Sequence, residues 1–146
     1  MNRFNVRIYG LLIHQGKVLV TDEIRLGTEM TKFPGGGLEF GEGTHDCLIR
    51  EWQEELGIDI TVGDLVYLNP FYQQSGFNPK DQVLAVYYRV FTDSPDQIPV
   101  VQNPMQFPTH QEGAQTFRWL HLEEISTENL TFPIDQSLVP TLKHLD

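Results

Sequence analysis

The sequence predicts an α/β fold in which a mixed β-sheet lies between helices, and two observations support this. Strand-like segments precede and follow one central segment, residues 44–56, whose apolar residues recur with helical periodicity. A second helical segment, residues 134–145, comes last, with Leu138, Leu142 and Leu145 on one side. Because 146 residues can bury a substantial core, we expect a single domain over residues 1–146.

The predicted strands are apolar or alternating runs bounded by turn-forming residues, and they span residues 4–13, 17–20, 58–68, 82–92 and 116–120. Gln15-Gly16 predicts a hairpin turn between the first two strands. Gly63-Asp64 predicts a turn or bulge within the third. Residues 94–115 contain four prolines and little periodicity, which is typical of a long functional or mobile loop.

Composition and charge restrict the classes of partner. The net charge of −10 disfavours a nucleic-acid backbone or an anionic membrane. Cys47 is the only cysteine, so no internal disulfide can form, and we interpret it as a packing residue. No segment reads as a signal peptide or a membrane span, and we expect a cytoplasmic protein. The five histidines show no metal-ligand spacing.

A glycine-rich segment leads into the central helix. Residues 33–37 read Phe-Pro-Gly-Gly-Gly and predict a loop, because glycine reaches backbone angles that other residues avoid. Gly57 predicts the helix end, since glycine is favoured just past a C-terminus. We therefore expect a loop over residues 33–37, followed by a helix from about Thr44 to Leu56.

The central helix is predicted to have two different faces. At about 100° per residue, an apolar stripe forms from Leu48, Ile49, Trp52 and Leu56. Asp46 and Gln53 are left facing solvent.

Beside the apolar stripe lies an acidic one, formed by Glu51, Glu54 and Glu55 at i, i+3 and i+4. It is either a solvated surface or a site for a hard cation such as Mg²⁺ or Mn²⁺. Glutamates near a helix C-terminus oppose the helix dipole, which favours the metal site.

Residues 36–58 resemble the signature of the Nudix hydrolases. The matching positions, each at the required spacing, are Gly36, Glu42, Arg50, Glu51, Glu54, Glu55, Gly57 and Ile58. Trp52 is larger than the aliphatic residue usual in the apolar slot of that signature. The resemblance implies a Nudix-type α/β/α sandwich that hydrolyses a nucleoside diphosphate linked to another moiety, using water and Mg²⁺ or Mn²⁺.

The resemblance also implies residue roles. Glu51, Glu54 and Glu55 are the expected metal ligands, with the carbonyl of Gly35 or Gly36 as a further oxygen. Arg50 orients the carboxylates, and Glu42 and Gly37 support the loop. The general base is either Glu51 or Glu112, the latter an acidic residue just before the last strand, whose alternative is an ordinary loop charge.

Substrate identity stays open between a nucleoside triphosphate, ADP-ribose and a nucleotide sugar. Arg25 and Lys32 are either solvated surface charges or contacts to the substrate's phosphates. Tyr72 lies in an aromatic loop that either packs on the protein or stacks on a base or sugar. The expected partner is a small-molecule nucleotide, and a homodimer is compatible with the sequence. The alternative function is an inactive Nudix-fold module that only binds nucleotides.

Overall fold

The computed structural model describes residues 1–145, and these residues contain seven strands and two α-helices. The strands are β1 (Arg3–His14), β2 (Lys17–Arg25), β3 (Thr28–Lys32), β4 (Gly35–Gly37), β5 (Thr61–Leu68), β6 (Asp81–Phe91) and β7 (Gln115–His121). The helices are α1 (Thr44–Leu56) and α2 (Pro133–Leu142). The predicted mixed α/β fold is confirmed. The predicted domain of 1–146 includes Asp146, which lies outside the described residues.

The first of two compact units comprises Met1–Leu12 and Pro34–Asp93. Its sheet is mixed, because β1 pairs in parallel with β6, whereas β4 pairs antiparallel with β1 and β5 antiparallel with β6. The register of β5 against β6 shifts between Val62 and Leu65, where Gly63-Asp64 predicted a bulge. Helix α1 belongs to this unit and ends at Gly57, which has a left-handed φ of 67°.

The second unit comprises Ile13–Phe33 and Ser94–Asp146. Strand β2 is its centre, pairing antiparallel with β3 on one side and with β7 on the other. The end of β1 also pairs with β2, across the Gln15-Gly16 turn that the sequence predicted. Helix α2 buries Leu138 and Leu142. It ends three residues earlier than predicted, at Leu142.

Two predicted boundaries are wrong. Gly35–Gly37 is a short strand, not a loop, because its backbone pairs with residues 7–9 of β1. Strand β2 continues to Arg25, five residues beyond the predicted end, and β3 follows after a two-residue turn. A search for apolar runs missed these segments because β4 consists of glycine and the end of β2 is mostly polar.

Helix α1 buries a different set of side chains from the predicted apolar stripe. Leu48 and Trp52 are fully buried, but Ile49 is 40% exposed, so its assignment to the stripe is wrong. Cys47 is fully buried instead. At about 100° per residue, Glu51 and Glu55 project between Cys47 and Leu48. The buried face of the helix, which runs from Cys47 to Trp52, therefore includes Glu51 and Glu55 at its centre. Ile49 lies beyond the Trp52 edge of this face.

The segment between β6 and β7 has fixed attachments within the second unit. Met105 donates its backbone N–H to the buried Asp22 carboxylate at 3.2 Å, and Val101 donates to the carbonyl of Phe117 at 2.8 Å. Asp22 in turn accepts two bonds from Arg118, at 2.7 and 3.1 Å. Within residues 1–145, no helix has the length and apolar character needed to cross a membrane.

Replacing Trp52 with alanine should destabilise the protein by about 3–5 kcal/mol, because the fully buried indole leaves a cavity. The indole Nε1 also donates to the carbonyl of Pro34 at 3.2 Å, and its ring lies against Gly10, where a side chain would collide with it. Urea unfolding measures the loss. Ile49→Ala on the same helix is the control and should change the free energy of unfolding by less than about 1 kcal/mol. Equal losses would contradict the assignment of the buried face.

Candidate active site

The glycine strand β4 pairs by its backbone with β1, and it is joined to α1 by side chains of the helix, among them Glu55 and Arg50. Gly35 has a φ of 154°, and a Cβ atom there would collide with the carbonyl oxygen of Ile8. A Cβ atom on Gly36 would collide with the carboxylate of Glu51. Glycine is therefore required at Gly35, where the backbone of β1 approaches, and a side chain at Gly36 would displace the Glu51 carboxylate.

Arg50, in the middle of α1, is the centre of a hydrogen-bonding network that joins the helix to the preceding loop and to β4. Its Nε and Nη2 donate to the two carboxylate oxygens of Glu42 at 3.0 and 2.7 Å. Its Nη1 donates to Glu51 at 2.7 Å and approaches Glu54 at 3.3 Å. Nη2 also donates to the carbonyl of Gly37 at 3.2 Å. One guanidinium therefore joins the loop, the glycine strand and two helix carboxylates, as a planar fork of donors allows.

The electrostatics of this network follow from these bonds. The hydrogen bond from Arg50, aided by the backbone N–H of Glu39, lowers the pKa of Glu42 to about 2. The bond to Glu42 raises the pKa of Arg50 in return. Burial, and then the contact with Glu42, raises the pKa of Cys47 to about 12, so its thiol stays protonated and behaves as a packing group.

The expected metal ligands lie on one helical stripe, and each is engaged by the protein. Glu51 is mostly buried and Glu54 largely exposed, at 17% and 60% side-chain exposure. Glu55 accepts a hydrogen bond from the N–H of Gly35 at 3.1 Å. Among the described residues, no three or more His, Cys, Asp or Glu side chains converge as a metal cage.

The donor set nevertheless fits a hard divalent cation. Its carboxylates lie beside a backbone strand that carries no side chains, and oxygen ligands of this kind suit Mg²⁺ or Mn²⁺. Cation binding would require Glu54 to turn away from Arg50, which its exposure permits. The assignment of Gly35 or Gly36 as carbonyl ligands stays a prediction.

The three weaker candidates for substrate contacts have different surroundings. Lys32 is only 5% exposed and lies 3.4 Å from Glu23, so its interpretation as a solvated surface charge is wrong. It lies at the buried end of β3, opposite Thr21 of β2. Arg25 is exposed at the end of β2. Tyr72 is 67% exposed in the loop after β5.

Glu112 lies in the second unit and is bound to a turn. Its carboxylate accepts the backbone N–H groups of Leu26 and Gly27 at 2.6 and 2.9 Å. These bonds, that of Gly27 first, lower the pKa of Glu112. The sequence contained no signal for this contact, since it joins residues 85 or more positions apart.

The buried polar cluster around Asp22 and Arg118 was also not predicted from the sequence, and these residues are 0% and 7% exposed. Thr31 donates its hydroxyl to Asp22 at 2.6 Å. An aspartate and an arginine at interior strand positions could have signalled a buried pair, because charged residues are buried only with partners.

Comparison with known proteins agrees with this geometry. A family model described as "NUDIX domain" matches residues 1–142. The chain belongs to the Nudix family. Its enzyme class is accordingly that of a Nudix pyrophosphohydrolase. No match was found among curated proteins.

Several solved Nudix structures share the fold. A MutT NUDIX hydrolase from Burkholderia pseudomallei has a TM-score of 0.69 at 18% identity, covering 99% of this chain and 100% of that one. The MutT protein of a methicillin-resistant Staphylococcus aureus has a TM-score of 0.61 at 24% identity, covering 98% of each chain. An ADP-ribose pyrophosphatase from Streptococcus suis has a TM-score of 0.52 at 13% identity, covering 94% of this chain and 86% of that one. At these identities the likeness extends to the Nudix fold alone.

Replacing Glu42 with glutamine should destabilise the Nudix domain in a pH-dependent way. The folded-state pKa of about 2 lies below the ordinary value of 4.5, so the stabilisation is fully present above pH 4.5. It is lost as the pH falls towards 2. The stability difference between wild type and Glu42→Gln, measured by urea unfolding from pH 7 to pH 2.5, should therefore shrink below pH 4.5.

Glu39→Gln is the matched control, because Glu39 lies in the same loop but is 69% exposed and 3.9 Å from Arg50. A Glu42→Gln difference that stays constant from pH 7 to pH 2.5 would show that the Arg50 pair contributes no net stability.

Proposed function

We propose that this Nudix hydrolase cleaves the diphosphate linkage of a nucleoside diphosphate derivative by water attack, with Mg²⁺ or Mn²⁺ held by Glu51, Glu54 and Glu55. The observation that carries the proposal is the placement of the Glu51 and Glu55 carboxylates beside the side-chain-free strand Gly35–Gly37, with Glu54 one turn along the same helix. A bound divalent cation would screen the charge of the diphosphate and polarise its oxygens.

Arg50 is the proposed orienting residue. Its Nη1 donates to Glu51 and Glu54, and its Nε and Nη2 donate to Glu42. Because Glu42 is mostly buried and anchors the guanidinium through two bonds, Arg50 keeps its position if Glu54 turns away. Glu42 and the carbonyl of Gly37 are therefore proposed as supports for the ligand-bearing helix.

Glu51 is the proposed general base in place of its role as a metal ligand, with Glu112 as the alternative base. One oxygen of Glu51 accepts from Arg50 at 2.7 Å, while the other lies against Gly36. This fixes the carboxylate rotamer, and a positioned carboxylate can take a proton from an attacking water. The carboxylate of Glu112 already accepts two backbone N–H groups, and acting as a base would require it to leave them.

The proposed substrate is a small nucleotide. Nucleoside triphosphates, ADP-ribose and nucleotide sugars all carry the required diphosphate. The net charge of −10 disfavours long RNA as a competitor. Arg25 and Tyr72 are exposed and stay candidates for contacts to phosphate and base. We expect a single-domain cytoplasmic enzyme, with a homodimer compatible with the sequence.

A nucleotide panel tests the proposal. With Mg²⁺ or Mn²⁺, the protein should release products from at least one of the three substrate classes. Glu55→Gln should lower kcat by about 10²-fold or more while leaving the fold intact, because the glutamine oxygen can still accept from Gly35. The wild type should also gain about 2.7 kcal/mol of stability at a hundred times the metal Kd. Glu55→Gln should lose this gain.

Glu128→Gln is the control, since Glu128 is an exposed glutamate of the second unit. Nucleotide binding without turnover across the panel would identify the inactive binding module. Full metal-dependent activity in Glu55→Gln would refute the ligand assignment.

The identity of the base is tested by separate substitutions. Glu51→Gln should lower kcat by about 10²–10⁴-fold with a smaller change in KM, because proton transfer contributes to the transition state. Single-turnover kinetics at saturating metal isolate that step from metal binding. The same loss in Glu112→Gln, with Glu51→Gln active, would reverse the assignment.

A further inference from the structure

The turn between β2 and β3 has two backbone N–H groups, those of Leu26 and Gly27, that lie outside the β2–β3 pairing. The strand ladder ends at the pair Arg25 and Thr28, which leaves Leu26 and Gly27 as the turn. Both have left-handed backbones, with φ of 52° and 73°. Because Leu26 and Gly27 lie outside the β2–β3 strand pairing, the turn offers two adjacent N–H donors to one ligand.

One carboxylate occupies both donors. Glu112 Oε2 accepts from Leu26 at 2.6 Å, and its Oε1 accepts from Gly27 at 2.9 Å. Each oxygen takes one N–H group, which is the bidentate arrangement that carboxylates and phosphates share. Because each oxygen accepts one N–H group, the contact favours the ionised carboxylate over the protonated acid.

Backbone hydrogen bonds next to Glu112 position its side chain at the Leu26–Gly27 turn. The N–H of Gly113 donates to the carbonyl of Ile24 at 2.9 Å, and the N–H of Ile24 donates to the carbonyl of Ala114 at 3.0 Å. Gly113 has a φ of 85°, a conformation that favours glycine. These bonds extend the β2–β7 pairing up to the residue beside Glu112, and they place its side chain over the turn.

We propose that the Leu26–Gly27 turn is an anion-binding site whose internal ligand is the Glu112 carboxylate. The site would take carboxylates and small oxyanions such as inorganic phosphate when Glu112 is removed. Arg25 adds favourable electrostatic attraction at the same place, and the pKa of Glu112 is lowered first by the Gly27 N–H and then by the Leu26 N–H.

The site restricts what Glu112 can do in catalysis. A carboxylate that accepts both turn N–H groups is not available as a base, so catalysis through Glu112 would require the turn to be vacated. Occupation of the turn does not depend on the proposed hydrolase activity. It can therefore be measured in the protein without substrate or metal.

Amide hydrogen exchange and chemical shifts of Leu26 and Gly27, read by ¹⁵N NMR, test the proposal. In Glu112→Ala these two amides should exchange at least about tenfold faster than in wild type, since two bonds to a charged group are lost. Added formate or inorganic phosphate should then shift both resonances saturably and slow their exchange. The wild type should show no saturable shift under the same titration.

Two further variants complete the design. Glu29→Ala alters the same hairpin by removing the 2.7 Å contact with His110, and it should leave the turn amides as in wild type. Glu112→Gln, which keeps one acceptor oxygen, covers the case in which Glu112→Ala does not fold and should show faster exchange at one or both amides. Unchanged exchange in both Glu112 variants, or equal anion shifts in wild type and variant, would overturn the proposal.

Discussion

The interaction on which the first unit depends most is the set of bonds from the Arg50 guanidinium. Glu51 and Glu55 lie on the buried face of α1, where their carboxylates would repel each other without a compensating cation. Arg50 supplies that cation and ties Glu42 and Glu51 to the carbonyl of Gly37. Because the bond to Glu42 is bidentate, the position of the guanidinium is fixed from outside the helix, and the helix carboxylates are oriented against it.

The glycine strand is the steric counterpart of this network. Gly35 and Gly36 have no room for a side chain, because β1 and the Glu51 carboxylate lie against them. The same closeness lets Glu55 accept the N–H of Gly35. The carboxylates can therefore approach the backbone of β4 because its residues are glycines. Pairing with β1 also orders this backbone more than a free loop would be.

In the second unit, carboxylates serve as fixed acceptors. Asp22 is fully buried and accepts from Arg118, Thr31 and the N–H of Met105. Glu112 accepts from the β2–β3 turn. The long segment before β7 is thus attached through Val101, Met105 and Glu112. The sequence alone predicted a functional or mobile loop here, and these backbone and carboxylate bonds limit the motion available to it.

The sequence by itself determined the family, the helix from Thr44 to Leu56, its end at Gly57 and the hairpin at Gln15-Gly16, because spacing and local backbone preference encode these features. Only the tertiary structure decided that Ile49 is exposed, that Lys32 is buried and that Glu112 binds a distant turn. It also decided that Gly35–Gly37 pairs as a strand. Each of these depends on which distant residue lies opposite, and periodicity along one segment carries no information about partners far away in the chain.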